Sequence, residues 1–69
     1  MESITRGASV VVRDSQGREH QKIALSGVTA GRDIAVVWAC RPSEWVAALA
    51  EDRDPDGVPW PAADVRAAE

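Results

Sequence analysis

The chain has 69 residues, a formal net charge of −3 and a single cysteine. One cysteine excludes an internal disulfide, and no apolar run approaches the ~18 residues that a membrane-spanning helix needs. The length predicts a single domain, and a domain of this size buries only about 60 % of its unfolded surface. We therefore expect its stability to depend on the packing of its three tryptophans, on oligomerisation or on a partner.

The first half of the chain predicts a β-hairpin. Residues 8–13 and 18–25 are strand-like, and the sequence Asp-Ser-Gln-Gly at 14–17 is typical of a tight turn. Alternation along the second strand predicts one inward-facing and one outward-facing set of side chains. The inward set is Gln21, Ile23 and Leu25, and the outward set is His20, Lys22 and Ala24.

A seven-residue apolar run at 34–40 is the strongest fold signal in the chain. Gly31 precedes it, Pro42 follows it, and both of its faces are apolar, which predicts a central strand covered on both sides. Pro42 favours the first turn of a helix that ends in the acidic segment 52–57. The side chains expected to face the sheet from this helix are Trp45, Ala48 and Leu49.

The C-terminal part of the chain is expected to form an extended tail. Prolines restrict the residues before them, so 58–61 is predicted to be extended, and 61–66 to start a short helix. The predicted organisation is one domain, 1–69, with a lead-in at 1–7, a sheet plus helix at 8–54 and a tail at 55–69. The predicted fold class is α+β, a three-stranded, mostly antiparallel sheet with one packed helix and an extended Pro/Trp tail. An SH3-like small β-barrel is the alternative, because short strands, Gly-rich turns and a tight hairpin also fit it, and the tail then supplies a closing strand or a 3₁₀ turn.

Cys40 lies at the predicted junction of strand and helix, in the sequence Cys-Arg-Pro-Ser. A thiol at a helix N-terminus is activated because the helix dipole favours the thiolate. Residues 36–43 resemble the active-site stretch of the thioredoxin family, in which a strand delivers a cysteine, two spacer residues and then Cys or Ser onto a helix. The resemblance implies a reactive thiol at Cys40, with Ser43 where a second cysteine would stand. The alternative is that Cys40 is a small buried apolar residue at a strand end.

An aspartate-rich segment matches the first half of a calcium-binding loop. Asp52, Asp54 and Asp56 would place three carboxylates around one point, and Gly57 permits a sharp turn. Position twelve of such a loop is Ala63, which supplies no carboxylate. The three aspartates are thus a weak metal candidate beside the alternative of a solvated helix end, and no metal or cofactor is predicted.

Trp60 lies between two prolines and has two interpretations. Its side chain folds back onto the sheet, or the sequence Val-Pro-Trp-Pro is a rigid, extended ligand for a groove in a partner. Tryptophan is frequent among the residues that dominate binding energy. Under the second interpretation the partner-binding residues are Val58, Pro59, Trp60 and Pro61.

The leading functional hypothesis is a non-catalytic protein-interaction module. Such a module is an accessory subunit, a phage- or plasmid-type regulator, or a self-assembling component, and its partner is another protein or a second copy. The chain is too short for a cleft with converging polar groups, and its one histidine, His20, is expected on the surface without catalytic partners.

Two alternatives to an interaction module stay open. One is a small barrel that binds nucleic acid, which the scattered arginines and the negative net charge disfavour. The other is a thiol-dependent redox protein that uses Cys40. The N-terminal residues lack the layout of a signal peptide, which predicts a cytoplasmic protein without membrane association.

Overall fold

Six short antiparallel strands and one helix form the fold in the computed structural model, which describes residues 4–68. Residues 1–3 of the predicted lead-in and residue 69 of the predicted tail lie outside the described residues. The elements in chain order are β1 (Ser9–Arg13), β2 (Glu19–Ala24), β3 (Thr29–Ala30), β4 (Ala35–Cys40), α1 (Pro42–Glu51), β5 (Val58–Pro61), a 3₁₀ turn (Ala62–Asp64) and β6 (Val65–Ala67).

Strand β4 lies in the middle of the sheet. One of its edges pairs with β2 and with the two-residue β3, and its other edge pairs with β5. From β2 the sheet continues through β1 to β6, and it curls into a half-barrel. The predicted α+β class is confirmed, but the predicted count of three strands is wrong. The additional strands come from the segment expected to be a loop and from the expected tail.

The β1–β2 turn is held together by Asp14. Its backbone oxygen accepts a hydrogen bond from the N–H of Gly17 at 3.0 Å, and its N–H donates to the oxygen of Arg18 at 2.9 Å. Its side chain accepts hydrogen bonds from the N–H groups of Gln16 and Arg18, both at 2.9 Å. Gly17 has φ +80°, a left-handed conformation that glycine adopts without a steric cost. The result is a three-residue hairpin loop that fixes the strand register.

The register of the hairpin reverses the predicted faces of β2. Val12 lies opposite His20 and Val10 opposite Lys22, and residues directly opposite each other share a face. Ala24 is therefore on the inner, concave face, where it is fully buried. Ile23 lies opposite Ser9 and Cys40 on the outer, convex face. The predicted faces are therefore wrong. The set expected inward, Gln21, Ile23 and Leu25, lies on the convex face, and the set expected outward, His20, Lys22 and Ala24, lies on the concave face.

Small side chains make up the core. The buried cluster on the concave face consists of Val10, Val12, Ala24 and Val37. Partly buried residues pack around it, namely Ile4, Trp60, Ala62 and Val65. Valine is the largest residue type whose side chain is fully buried. A core this small leaves larger apolar side chains on the surface of the described residues.

Helix α1 covers part of the convex face. The ring of Trp45 lies beside Gly7, with the guanidinium of Arg6 5.6 Å from the ring centroid, and Ala48 is fully buried. Leu49 is 65 % exposed, so the prediction that it faces the sheet is wrong. Successive helical residues are separated by about 100° around the axis, and a helix that packs through Ala48 turns Leu49 to the side.

The ends of α1 follow its sequence. Pro42 occupies the first turn, and Asp52 ends the helix in a left-handed conformation at φ 55°. The N–H of Arg53 then donates to the oxygen of Ala48 at 3.0 Å. At ten residues α1 is too short to cross a bilayer, and no helix in the described part of the chain has the length and apolar character to do so.

Prolines are accommodated in β5 because it is an edge strand. Pro59 lies opposite Trp38, whose N–H donates to Ser26 Oγ at 3.2 Å and whose oxygen accepts from the N–H of Leu25 at 2.7 Å. Both backbone groups of Trp38 thus point away from β5. Pro59, and Pro61 two residues on, therefore direct their nitrogens outward, where no ladder hydrogen bond is lost.

The segment expected to start a helix at 61–66 forms the 3₁₀ turn and β6 instead. The N–H of Val65 donates to the oxygen of Ala62, which closes a single turn. Val65 then pairs with Val12 and contributes to the core. Pairing of β6 with β1 brings the chain back to the hairpin at which it started.

Candidate functional site

Trp60 belongs to the interior of the sheet. It lies opposite Val37 on β4 and packs against the buried cluster. Its indole Nε1 is buried and has no hydrogen-bond partner in the described residues. The structure favours the first interpretation of Trp60, in which the side chain folds back onto the sheet.

Trp38 is the tryptophan that reaches solvent from the sheet. Its side chain lies on the convex face of β4 and is 42 % exposed. The strand was expected to be covered on both faces, but α1 covers the end near Cys40 and leaves Trp38 open. Alternation along β4 places Trp38 on the same face as Cys40. The two side chains differ in exposure because α1 covers only part of that face.

An apolar surface surrounds Trp38, which we call the outer patch, made of Leu25, Trp38 and Pro59. Pro59 lies opposite Trp38 on the neighbouring strand. On the other side, the backbone N–H of Leu25 donates a hydrogen bond to the backbone oxygen of Trp38. The side chain of Leu25 extends across β4 toward Gly57, where a Cβ would lie 2.6 Å from Leu25 Cδ1. The patch therefore extends from the residue after β2, across β4, to β5.

The other residues of the predicted partner-binding set lie beside the outer patch. Val58 precedes Pro59 and is 56 % exposed, and Pro61 is partly buried opposite Val36. The predicted set therefore divides between the surface and the core. Val58 and Pro59 are exposed on β5, whereas Trp60 packs inward.

Cys40 ends β4 just before α1, as the resemblance to the thioredoxin family implies. The thiol is only 4 % exposed. Burial raises the pKa of Cys40, and the nearby negative charge of Glu44 adds to the rise. A raised pKa disfavours the thiolate, which is the reactive form. These properties match the buried apolar residue of the alternative interpretation.

A network of hydrogen bonds fastens the loop after α1 to the first turn of the helix. Arg53 Nη1 donates to Glu44 Oε2 at 2.6 Å, and the backbone N–H of Asp56 donates to the same oxygen at 2.9 Å. Arg53 Nε donates to Glu51 Oε1 at 2.7 Å. The positively charged group that holds this loop in place is therefore the guanidinium of Arg53. Sequence spacing suggested calcium here, but no group of three or more His, Cys, Asp or Glu side chains within residues 4–68 is arranged to hold a metal ion.

Because the carboxylate of Glu44 holds this loop in place, we expect the domain to lose stability in acid. The Arg53 guanidinium, followed by the N–H of Asp56, lowers the pKa of Glu44 to about 2 from its ordinary 4.5. A carboxylate with a depressed folded pKa contributes stability above the ordinary value, and the contribution is lost as pH falls from 4.5 toward 2. We expect Glu44→Gln to remove less than half of the acid-induced fall in Tm, since the pKa values of Asp14 and Glu19 are also lowered.

Thermal melts followed by circular dichroism between pH 2 and pH 7 measure this effect. Asp33→Asn removes an exposed carboxylate that makes no ion pair within residues 4–68 and controls for the change in net charge. An acid profile of Glu44→Gln that overlays the wild type would contradict the assignment.

A second polar cluster lies at the hairpin end of the convex face. Glu19 accepts hydrogen bonds from Arg66 at 3.2 Å and from Arg13 at 3.5 Å, beside a cavity of about 120 Å³. On the turn, His20 Nε2 lies 2.9 Å from Asp14 Oδ2, so the histidine is exposed, as predicted, but engaged by a carboxylate. Sequence reasoning missed the contact of Arg66 with Glu19, because the two residues are 47 positions apart and meet only through β6.

Comparison with known proteins gives no relative for this chain: no family model, no curated protein and no solved structure matches it.

Proposed function

We propose that the chain is a non-catalytic protein-interaction module built on a small SH3-like barrel, and that the outer patch is its binding surface. The strand order supports the barrel. Strand β1 pairs with β2, both β2 and β3 pair with β4, a 3₁₀ turn precedes the last strand, and that last strand pairs back with the first. A barrel of this kind presents its outer face and its loops to partners.

Exposure of Trp38 is the observation that carries the proposal. A tryptophan buries a large area when a partner covers it, and this residue type is enriched among those that dominate binding. Pro59 and Leu25 extend the apolar surface on either side of Trp38, and a contiguous apolar surface is typical of an interaction site. The fold holds Trp38 on a central strand, so the surface is formed before a partner arrives.

The arrangement of β5 supports docking on the face of the sheet. Strand addition needs backbone N–H donors along an open edge. The outer edge of β5 has no N–H at Pro59 or Pro61, and prolines at such positions block edge-to-edge pairing. A partner that approaches this side of the molecule therefore binds through side chains on the outer patch.

The chemistry of the strongest catalytic candidates supports a binding role. Cys40 is buried with a raised pKa, which disfavours a nucleophilic thiolate. His20 is engaged by Asp14 on the hairpin turn. The sheet places each of them at a different point of the molecule, so the two do not form a catalytic pair.

We expect Trp38→Ala to reduce recovery of a stoichiometric protein partner at least about tenfold in a tagged pull-down from the native host. Loss of the indole removes the largest side chain of the patch. Val46→Ala is the control, because Val46 is an apolar residue that is 64 % exposed but lies on α1. Undiminished recovery with Trp38→Ala would contradict the proposal. Recovery of nucleic acid that salt removes would favour the alternative of a nucleic-acid-binding barrel.

A further inference from the structure

The acidic charge of the chain is concentrated in the helix and the loop after it. Residues 44–56 contain five carboxylates and one arginine, a net charge of −4. The rest of the described chain contains seven Arg and Lys against four Asp and Glu, a net charge of +3. Negative charge is therefore concentrated in this one segment of the described chain.

The one arginine of the acidic segment is already engaged. Arg53 binds both Glu44 and Glu51, which leaves the carboxylates of Asp52, Asp54 and Asp56 without an ion pair in residues 4–68. All three aspartates are exposed. The hydrogen bond from the N–H of Asp56 to Glu44 holds the loop in place. The three free charges thus project from a fixed loop.

This acidic loop borders the outer patch. Gly57 follows Asp56, and the side chain of Leu25 approaches it closely. A Cβ at Gly57 would also lie 2.5 Å from the backbone oxygen of Ala39. Two residues further on, Pro59 lies opposite Trp38. The acidic loop therefore leads directly into the strand that carries Pro59 of the outer patch.

We infer that the outer patch and the acidic loop together bind a basic segment of a partner protein, one that combines Lys or Arg with apolar side chains. The inference rests on the proposed function, because it names the partner of the same surface. Apolar side chains of the segment cover Leu25 and Pro59. Its cations face the aspartates, and one of them stacks on the Trp38 ring as a cation–π contact. Charge complementarity of this kind favours such partners and repels acidic ones.

Panning a phage-displayed random peptide library on the whole chain tests the inference. We expect selected peptides to be rich in Lys and Arg, with at least one large apolar residue, and to lose binding to the Trp38→Ala variant. Isothermal titration with a selected synthetic peptide should give a Kd about tenfold weaker for D52N/D54N/D56N, since each exposed ion pair contributes modestly. Added salt should weaken binding of the wild type more than binding of this variant.

Two matched measurements keep the outcomes distinct. The variant D33N/D64N removes carboxylates outside the acidic loop and should leave the Kd within about twofold of the wild type. Trp38-dependent peptides without an excess of Lys and Arg, or a Kd that D52N/D54N/D56N leaves unchanged, would overturn the inference and leave the interaction module standing. Failure to select any Trp38-dependent peptide would overturn both.

Discussion

Replacing Trp60 with alanine is expected to abolish the cooperative unfolding transition of the domain. Trp60 is the largest side chain packed against the buried cluster, whose own members are no larger than valine. Large-to-small changes of an aromatic core residue cost about 3–5 kcal/mol. A chain of 69 residues has a total stability of roughly 3–10 kcal/mol. Urea titration followed by circular dichroism should show a shallow, non-cooperative loss of signal in the variant.

Trp60→Phe separates the packing role of Trp60 from its indole N–H. Phenylalanine keeps an aromatic ring in the core and removes the N–H that lacks a partner in the described residues. A buried unsatisfied donor costs about 1–3 kcal/mol, so its removal offsets the smaller buried area of the ring. We expect Trp60→Phe to unfold cooperatively with a midpoint near that of the wild type. A cooperative transition in Trp60→Ala would show that the core does not depend on this residue.

Replacing Gly57 with alanine is expected to destabilise the domain by about 1–3 kcal/mol, the range for overpacked sites. A Cβ at this position would lie 2.5 Å from the oxygen of Ala39 and 2.6 Å from Leu25 Cδ1. Such contacts are too short, and the backbone oxygen belongs to the central strand, which cannot shift without disturbing its ladders. The chain must therefore relieve the clash by moving β5 away from β4.

A double variant identifies which of the two contacts matters. Leu25→Ala in the Gly57→Ala background removes the side-chain clash but leaves the clash with the oxygen of Ala39. We expect no recovery of stability in urea titrations, and we expect chemical-shift changes of the β5 amides in ¹⁵N correlation spectra of both variants. Recovery by the double variant would show that the flexible side chain, and not the backbone, sets the requirement for glycine.

Local sequence signals predicted the hairpin and the helix because the deciding interactions are local. Asp14 and Gly17 determine the turn through hydrogen bonds within five residues and a single left-handed conformation. Pro42 and the acidic segment after Glu51 likewise set the start and the end of the helix through local interactions. These elements required no knowledge of the rest of the chain.

The face of β2 was mispredicted because both of its faces carry apolar residues. Alternation alone does not choose between Ala24 and its neighbours Ile23 and Leu25. Counting outward from the turn does choose, since pairing of Asp14 with Arg18 places Ala24 opposite Ala8, on the side of Val10. The larger residues Ile23 and Leu25 then lie on the convex face, where α1 and the outer patch are found.

The candidate site was only half predictable. The prolines at 59 and 61 predicted an extended tail, but not that this segment pairs as an edge strand whose proline nitrogens point outward. Once β5 pairs with β4, Trp60 must face the core and Trp38 the opposite side. That exchange of roles between two tryptophans depends on a pairing between segments about twenty residues apart, which periodicity in either segment does not reveal.

The placement of the three tryptophans also gives the chain built-in optical reporters. No tyrosine or phenylalanine competes with them in absorbance or fluorescence. Each indole has a different environment. Trp38 lies on the open convex face, Trp45 extends from α1 to Gly7, and Trp60 packs against the core. Collisional quenchers therefore reach Trp38 first, release of the helix changes the emission of Trp45, and Trp60 responds only when the sheet opens. Tryptophan fluorescence of a single sample can thus distinguish binding at the outer patch, detachment of the helix and global unfolding.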